Sequence, residues 1–328
     1  MFKKFLAVCV IALVAFVVIG IGAMVNLGLD EDFFDGEGFL GGVLESVFGN
    51  TPPPRTNVLV LGTDHGHRGA IGRADMIMLI TICDAGQIDM VSIPRDTRVT
   101  MPQYRLDTLR AAGRNTAASS GIMRINEITH HAGPHYGPRF LTAQVADMLD
   151  IQIDYYIHVD LAGFRSIVDR IGGIYFDVPI RMYYRDPYQD LVINLQPGPQ
   201  LLDGNAAEGL VRFRSGHADG DLGRMRTQQD FMSAALGQIL SRDNIMANPM
   251  AYISTFINYV DTDFGLMDAP PFAGLLGQID TANITAHTLA AAPTRIDGRF
   301  FYILEEDAAR LLMDEILTSN SISEENPS

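Results

Sequence analysis

Arginines recur where apolar runs begin or end. Arg73-Ala74-Asp75 precedes one run, Ser92-Ile93-Pro94-Arg95-Asp96 closes another, and Arg124-Ile125-Asn126 follows a long polar stretch. Arg212-Phe213-Arg214 follows a further apolar run, where strand alternation would put both guanidiniums on one face. Asp221, Arg224 and Gln228 are spaced three and four apart, on one side of a helix. A guanidinium holds phosphate oxygens as a two-pronged donor and keeps its charge when desolvated, so convergent arginines point to a phosphate or pyrophosphate ligand. Asp64 and Asp75 suit a hard divalent cation such as Mg²⁺, or Mn²⁺, which needs only one or two carboxylates besides ligand oxygens. Taken singly, an Arg-Asp neighbour is most often a surface ion pair or a turn cap. The repetition is what makes these residues a candidate site.

The histidines carry less. His65 and His67 follow Asp64 closely, and His130, His131 and His135 cluster further on. Gly133 and Pro134 interrupt the one spacing that could give a helical metal pair, so these read as loop histidines and not as a zinc site.

These residues sit in a chain of 328 with net charge −15, 39 acidic residues against 24 basic. Such acidity argues against broad nucleic-acid binding, which needs an extended positive field. Of the basic residues only Lys3 and Lys4 are lysines, and they precede an apolar stretch, residues 5–29. That stretch is long enough to cross a bilayer, longer than a cleaved signal normally needs, and acidic residues follow it. The expected layout is therefore a cytoplasmic start at 1–4, a retained transmembrane helix at 5–29 and an acidic, Gly- and Pro-rich linker at 30–54. One extracytoplasmic domain at 55–318 and a flexible tail at 319–328 complete it. Cys9 would lie in the membrane and Cys83 in a core strand, so no disulfide framework is expected.

Within the domain, Asn57–Leu61, Met76–Ile82 and Ile88–Ile93 read as buried strands, and Asp154–Val159 and Ile174–Val178 as later ones. Helices are expected at Arg139–Leu149, from Asp160 to Ile171 with a stop at Gly172-Gly173, and at Gly223–Leu240. Helical stretches at Met250–Val260 and Met267–Ile279, strands near Ala286–Ala292 and Phe300–Leu304, and a helix at Glu305–Leu317 follow. The alternation gives an α/β (α+β layered) fold, a central mixed sheet flanked by helices, with one N-terminal transmembrane helix.

In order along the chain, Asn57-Val58-Leu59-Val60-Leu61-Gly62-Thr63-Asp64, Arg73-Ala74-Asp75-Met76, Ser92-Ile93-Pro94-Arg95-Asp96 and Arg124-Ile125-Asn126 resemble the successive motifs of the LytR-CpsA-Psr family. So do Ile153-Asp154-Tyr155-Tyr156, Val168-Asp169-Arg170-Ile171-Gly172-Gly173-Ile174, Leu202-Asp203-Gly204, and Arg212-Phe213-Arg214 with Asp221-Leu222-Gly223-Arg224. The resemblance implies a membrane-anchored phosphotransferase that moves a glycopolymer from an undecaprenyl-pyrophosphate carrier to a cell-wall acceptor, usually peptidoglycan. It implies Mg²⁺ at Asp64 and Asp75. It places Arg73, Arg95, Arg124, Arg212, Arg214 and Arg224 around the pyrophosphate, with Asp221 and Gln228 beside them, and an apolar tunnel for the polyprenyl chain. Asp75, Arg95 and Asp64 are the expected catalytic residues.

Three features depart from the family pattern: Arg124 where lysine is common, Glu127 after Asn126, and a long loop expected from Gln103 to Met123. The same residues would also serve a pyrophosphate hydrolase acting on lipid-linked diphosphates. A non-catalytic scaffold that binds wall polymer is the third reading.

Overall fold

Runs that are apolar at most positions, without polar alternation, suit strands buried on both faces, not a half-exposed sheet. The computed structural model describes residues 55–65, 71–83, 86–114, 120–186, 191–214, 221–239, 258–265 and 283–318, and in it these runs are strands. Leu59, Leu61 and Leu79 are buried, as are Val58, Val60 and Met78, which alternate with them along the same strands.

Two units are interleaved along the chain, one holding residues 55–83, 88–160 and those from 285 on, the other holding chiefly 161–284. The first contains β1 (Arg55–His65), β2 (Ile71–Cys83), β3 (Ile88–Ser92), β4 (Arg98–Thr100), α1 (Gln103–Ala111), β5 (Ile122–Arg124), α2 (Glu127–Leu149) and β6 (Tyr155–Asp160). The second contains α3 (Leu161–Arg170), β7 (Ile174–Val178), β8 (Met182–Asp186), β9 (Leu191–Leu195), β10 (Gly198–Leu202), α4 (Gly204–Arg212), α5 (Asp221–Ile239) and β11 (Val260–Thr262). The chain then returns to the first unit through β12 (Ile284–Thr288), β13 (Ala291–Ile296), β14 (Arg299–Leu304) and α6 (Glu306–Thr318).

The sheet of the first unit runs β6-β1-β2-β3-β12. It is mixed, as expected: β1 pairs antiparallel with β2, and β2 with β3, but β1 pairs parallel with β6. Leu141, Val145 and Leu149 of α2 and Met313 and Ile316 of α6 join Leu59, Leu61, Leu79, Val91 and Tyr156 in one core cluster. Burying each such side chain stabilises the fold by about 1.5–3 kcal/mol. Cys83 is a buried core residue of β2, as the sequence suggested.

Several expected elements differ. The stretch from Gln103 opens as helix α1 and not as loop, because Leu106 and Leu109 are buried in the core and anchor it. Helix α2 starts at Glu127, twelve residues before the expected Arg139, and bends at Gly133 (φ 73°). Pro134 and Pro138 lie within it, and a Cβ at Gly133 would meet the Arg114 guanidinium at 2.1 Å. His130, His131 and His135 are therefore helical, not in a loop, but the bend still prevents a regular pair across 131 and 135. The apolar run before Arg212 is helix α4, so strand alternation does not apply to Arg212 and Arg214. The run expected as one strand at 286–292 divides into β12 and the start of β13.

The second unit explains two of the motifs structurally. Gly172 and Gly173 end α3 with φ of 87° and 90°, conformations open to glycine. Asp203 caps α4 by accepting from the Ala206 amide at 2.8 Å, and Asp169 accepts from the Gly204 amide at 2.7 Å. A Cβ on Gly204 would stand 2.5 Å from the Arg165 carbonyl oxygen, so α4 can start here only with glycine in that place.

The segments at 5–29, 30–54 and 319–328, His67, and most of the two expected helices between 250 and 279 lie outside the described residues. Among the described residues no helix is long and apolar enough to cross a membrane.

Candidate active site

The β1–β2 ladder is regular from Arg55↔Cys83 to Gly62↔Met76 and then breaks. The next partner of Thr63 is Ala74, which leaves Asp75 as the extra residue of a bulge, and a second irregularity follows before His65↔Ile71. Bulges re-aim side chains, and here they fall on Asp75 and on the stretch holding Arg73. Asp64, at the end of β1, accepts from the Arg73 amide at 2.6 Å through Oδ1.

Backbone hydrogen bonds knit three of the motifs together. Ala74 N–H donates to Asn126 O (3.2 Å), Asn126 N–H to Arg95 O (3.2 Å), and Ile125 N–H to Thr97 O (2.8 Å). Residues far apart in sequence are thus fixed at one end of the sheet by rigid main-chain contacts. The hairpin of β13 and β14 joins the same group: Tyr302 N–H donates to Asp96 O at 2.9 Å.

Side chains continue the network. Arg95 meets Asp75 at 2.5 Å and Asp96 at 3.6 Å. Arg124 meets Asp96 at 3.3 Å and Glu127 at 2.7 Å. Arg299 reaches Glu127 at 2.9 Å, and Arg73 lies 3.9 Å from it. Asp64, Asp75, Asp96 and Glu127 thus balance Arg73, Arg95, Arg124 and Arg299, so the cluster is charge-compensated where the arginines alone suggested a basic pocket. Burial pushes the Glu127 carboxyl up, but hydrogen bonds from Arg124 and the charges of Arg124 and Arg299 outweigh it and hold the group below its ordinary value. Burial, with His130, Arg73 and Arg299, keeps the His131 imidazole below its ordinary value despite the opposing pull of Glu127. The neutral form of His131 is thereby favoured.

The remaining expected residues belong to the other unit. Arg212, at the end of α4, bonds Glu208 at 2.7 Å, and Arg165 of α3 bonds the same buried carboxylate at 2.8 Å. Gln228 of α5 donates to the Val211 carbonyl at 2.8 Å, Arg224 is fully buried, and Arg214 is exposed. Asp221 opens α5.

As carboxylates, Asp64 and Asp75 are oxygen donors of the kind a hard cation takes. Asn126 Oδ1, buried and with no hydrogen-bond partner among the described residues, adds an oxygen in the same knot of backbone contacts. Among the described residues no three His, Cys, Asp or Glu side chains form a cage. A cation here would need oxygens from a ligand, as Mg²⁺ usually does.

Sequence patterning did not single out Arg299 or Arg165. The signal for Arg299 was the Asp297-Gly298 pair: both residues have positive φ (49° and 76°), the turn that joins β13 to β14 and sets Arg299 opposite Ile296. Arg165 had no comparable signal.

The model of the LytR_cpsA_psr family matches residues 46–316. The probable cell wall biosynthesis protein LcpB of Corynebacterium glutamicum is 32% identical over 58% of this chain and 40% of its own length. A protein of Oceanobacillus iheyensis named polyisoprenyl-teichoic acid–peptidoglycan teichoic acid transferase TagU is 28% identical over 79% of this chain and 74% of its own. The crystal structure of Bacillus subtilis TagV shares the fold, with a TM-score of 0.63 and 23% identity over 80% of this chain and 97% of that one. Several of the curated relatives extend well beyond the match, the chain spanning 59%, 40% and 61% of the lengths of three of them.

Proposed function

The chain belongs to the LytR-CpsA-Psr family, and from that premise we propose that it is a membrane-anchored phosphotransferase acting on lipid-linked glycopolymer. Its donor is a glycan on an undecaprenyl-pyrophosphate carrier, and its acceptor is peptidoglycan or another wall glycan. In this reading the apolar stretch at 5–29 is the anchor that keeps the catalytic domain outside the cytoplasmic membrane. The name of the TagU relative, a teichoic acid transferase to peptidoglycan, supports this choice of chemistry.

One observation carries the proposal: the backbone contacts that bring Arg73, Arg95 and Arg124 together beside Asp75. These arginines bind the pyrophosphate and disperse its charge. Arg212, Arg214, Arg224, Asp221 and Gln228, which belong to the other unit, are assigned to the pyrophosphate by the family resemblance alone. Asp64 and Asp75 would hold Mg²⁺, which when bound supplies positive charge to the phosphoryl oxygens. The acceptor hydroxyl attacks the phosphorus that bears the glycan, the bond to the bridging oxygen breaks, and undecaprenyl phosphate leaves. Asp64 or Asp75 orients that hydroxyl or accepts its proton. The balanced charge of the cluster gives the cation a second use. A cation held by Asp64 and Asp75 would offset their charge and leave the field of the arginines to an anion.

The test is transfer by the purified protein from a synthetic polyprenyl-pyrophosphate glycan to peptidoglycan fragments with Mg²⁺, against Asp75→Ala and Arg95→Ala. Acceptor-linked sugar that both substitutions abolish supports the proposal. Free sugar phosphate would indicate hydrolysis, and binding without any product would indicate a scaffold.

A further inference from the structure

Arg299 belongs to none of the motifs, yet the fold delivers it to them. The Asp297-Gly298 turn starts β14 at this residue, and β14 is tied to the Arg95-Asp96 turn by the Tyr302–Asp96 backbone bond and by a bridge between Thr97 and Tyr302. We propose that Arg299 is a further anion-binding residue of this site, positioned by Glu127 and Phe301, and that it takes a phosphate oxygen of the lipid-linked donor. The identity of that anion rests on the function proposed above; the anion site itself does not.

Three guanidinium nitrogens converge on Glu127 Oε1: Arg124 at 2.7 Å, Arg299 at 3.2 Å and Arg73 at 3.9 Å. Oε2 accepts from Arg299 at 2.9 Å and from the Arg124 amide at 3.1 Å. A buried carboxylate that needed only a structural partner is already satisfied by Arg124, through its amide and its guanidinium. Arg299 and Arg73 are additional. Their side chains are 50% and 51% exposed, whereas that of Glu127 is only 7% exposed. Two half-exposed cations are therefore held beside one buried anion, and part of each arginine side chain remains open to solvent.

Arg299 is also held from its other side. Its guanidinium carbon lies over the Phe301 ring, 5.3 Å from the centre, a cation–π contact that arginine makes without losing its charge. Fixing an exposed arginine in this way removes most of the rotamer entropy that a ligand would otherwise have to overcome. Convergent, preset guanidiniums with exposed donors are what bidentate recognition of a phosphate requires. Glu127 acts through these arginines and is a positioning residue. It sets their spacing and moderates their mutual repulsion before the anion arrives.

The test uses the intact chain and inorganic pyrophosphate, with binding read by calorimetry and transfer kinetics read in parallel. Arg299→Gln weakens pyrophosphate binding and raises the donor KM by about tenfold, the loss of one charge-assisted hydrogen bond. Arg299→Lys recovers part of the loss. Glu127→Gln tightens pyrophosphate binding while lowering kcat, a split that mere destabilisation would not produce. Arg310→Gln, an exposed arginine on α6, changes neither. Wild-type transfer with a donor KM and pyrophosphate affinity indifferent to Arg299→Gln overturns this inference and leaves the function standing. Pyrophosphate binding that depends on Arg299, without any transfer, upholds the site and removes the enzyme. A wild-type chain that binds no pyrophosphate overturns the anion site.

Discussion

Gly72 and Asp64 approach so closely across the β1–β2 ladder that a Cβ on Gly72 would lie 1.8 Å from Asp64 Oδ1 and 2.4 Å from the Asp64 carbonyl oxygen. The bulged register leaves space for the carboxylate only because residue 72 has no side chain. Gly72→Ala must push Asp64 out of its place beside the Arg73 amide. We expect a fall in kcat comparable to that of Asp64→Asn, with a stability loss of about 1–3 kcal/mol from the crowded ladder. Transfer kinetics and urea unfolding measure the two effects separately. Wild-type turnover in Gly72→Ala would show that the placement of Asp64 does not matter.

Asp75 and Arg95 act as a pair. Their contact of 2.5 Å is partly shielded, with side-chain exposures of 31% and 17%. A double-substitution cycle with Asp75→Asn and Arg95→Gln should show a coupling of about 1–2 kcal/mol in stability. In activity the double variant should be no worse than the poorer single one, because residues that work as a unit do not add. Additive losses would mean that each serves the ligand alone.

Asp203 and Asp169 should prove structural even though both stand in family-like motifs. Each accepts from an amide in the first turn of α4. Asp203→Ala should cost about 1 kcal/mol, the usual penalty for losing a cap, and Asp169→Ala a similar amount. Neither should change the donor KM. A large KM effect at unchanged stability would move these residues into the binding site.

Acid should destabilise the site region in two stages. The folded His131 titrates below 6.5, so its contribution is present above that value and is lost as pH falls from 6.5 through the folded pKa. Glu127 titrates below 4.5 in the folded chain, so its contribution is present above 4.5 and is lost as pH falls through its folded pKa. Denaturant midpoints from about pH 8 to about pH 2 should decline more gently in His131→Gln over the first stage and in Glu127→Gln over the second. Parallel curves for wild type and both variants would rule out these two groups as the cause.

The sequence by itself determined strands β1, β2 and β3, because Asn57–Leu61, Met76–Ile82 and Ile88–Ile93 are apolar at most positions and have no soluble alternative to burial. It also marked the residue types of the site. Arginine beside aspartate at the ends of those strands was legible as anion and cation chemistry from residue type and spacing alone, and Gly172-Gly173 was legible as a helix stop. Helix α1 was not, since the two buried leucines that fix it, Leu106 and Leu109, gain their partners only from distant segments.

Tertiary structure decided which of these charges meet. Arg299 lies 172 residues from Glu127, and no local pattern announces that a hairpin turn at Asp297-Gly298 will bring them within 2.9 Å. The same holds for the balance of the cluster. Convergent arginines pointed to an anion, but Arg73, Arg95 and Arg124 are brought against carboxylates by backbone bonds among Ala74, Asn126, Arg95, Ile125 and Thr97. Hydrophobic patterning is a property of neighbours along the chain, so sequence reveals it. Pairing of charges is a property of neighbours in space, set by bulges, turns and register, and only the folded chain contains it.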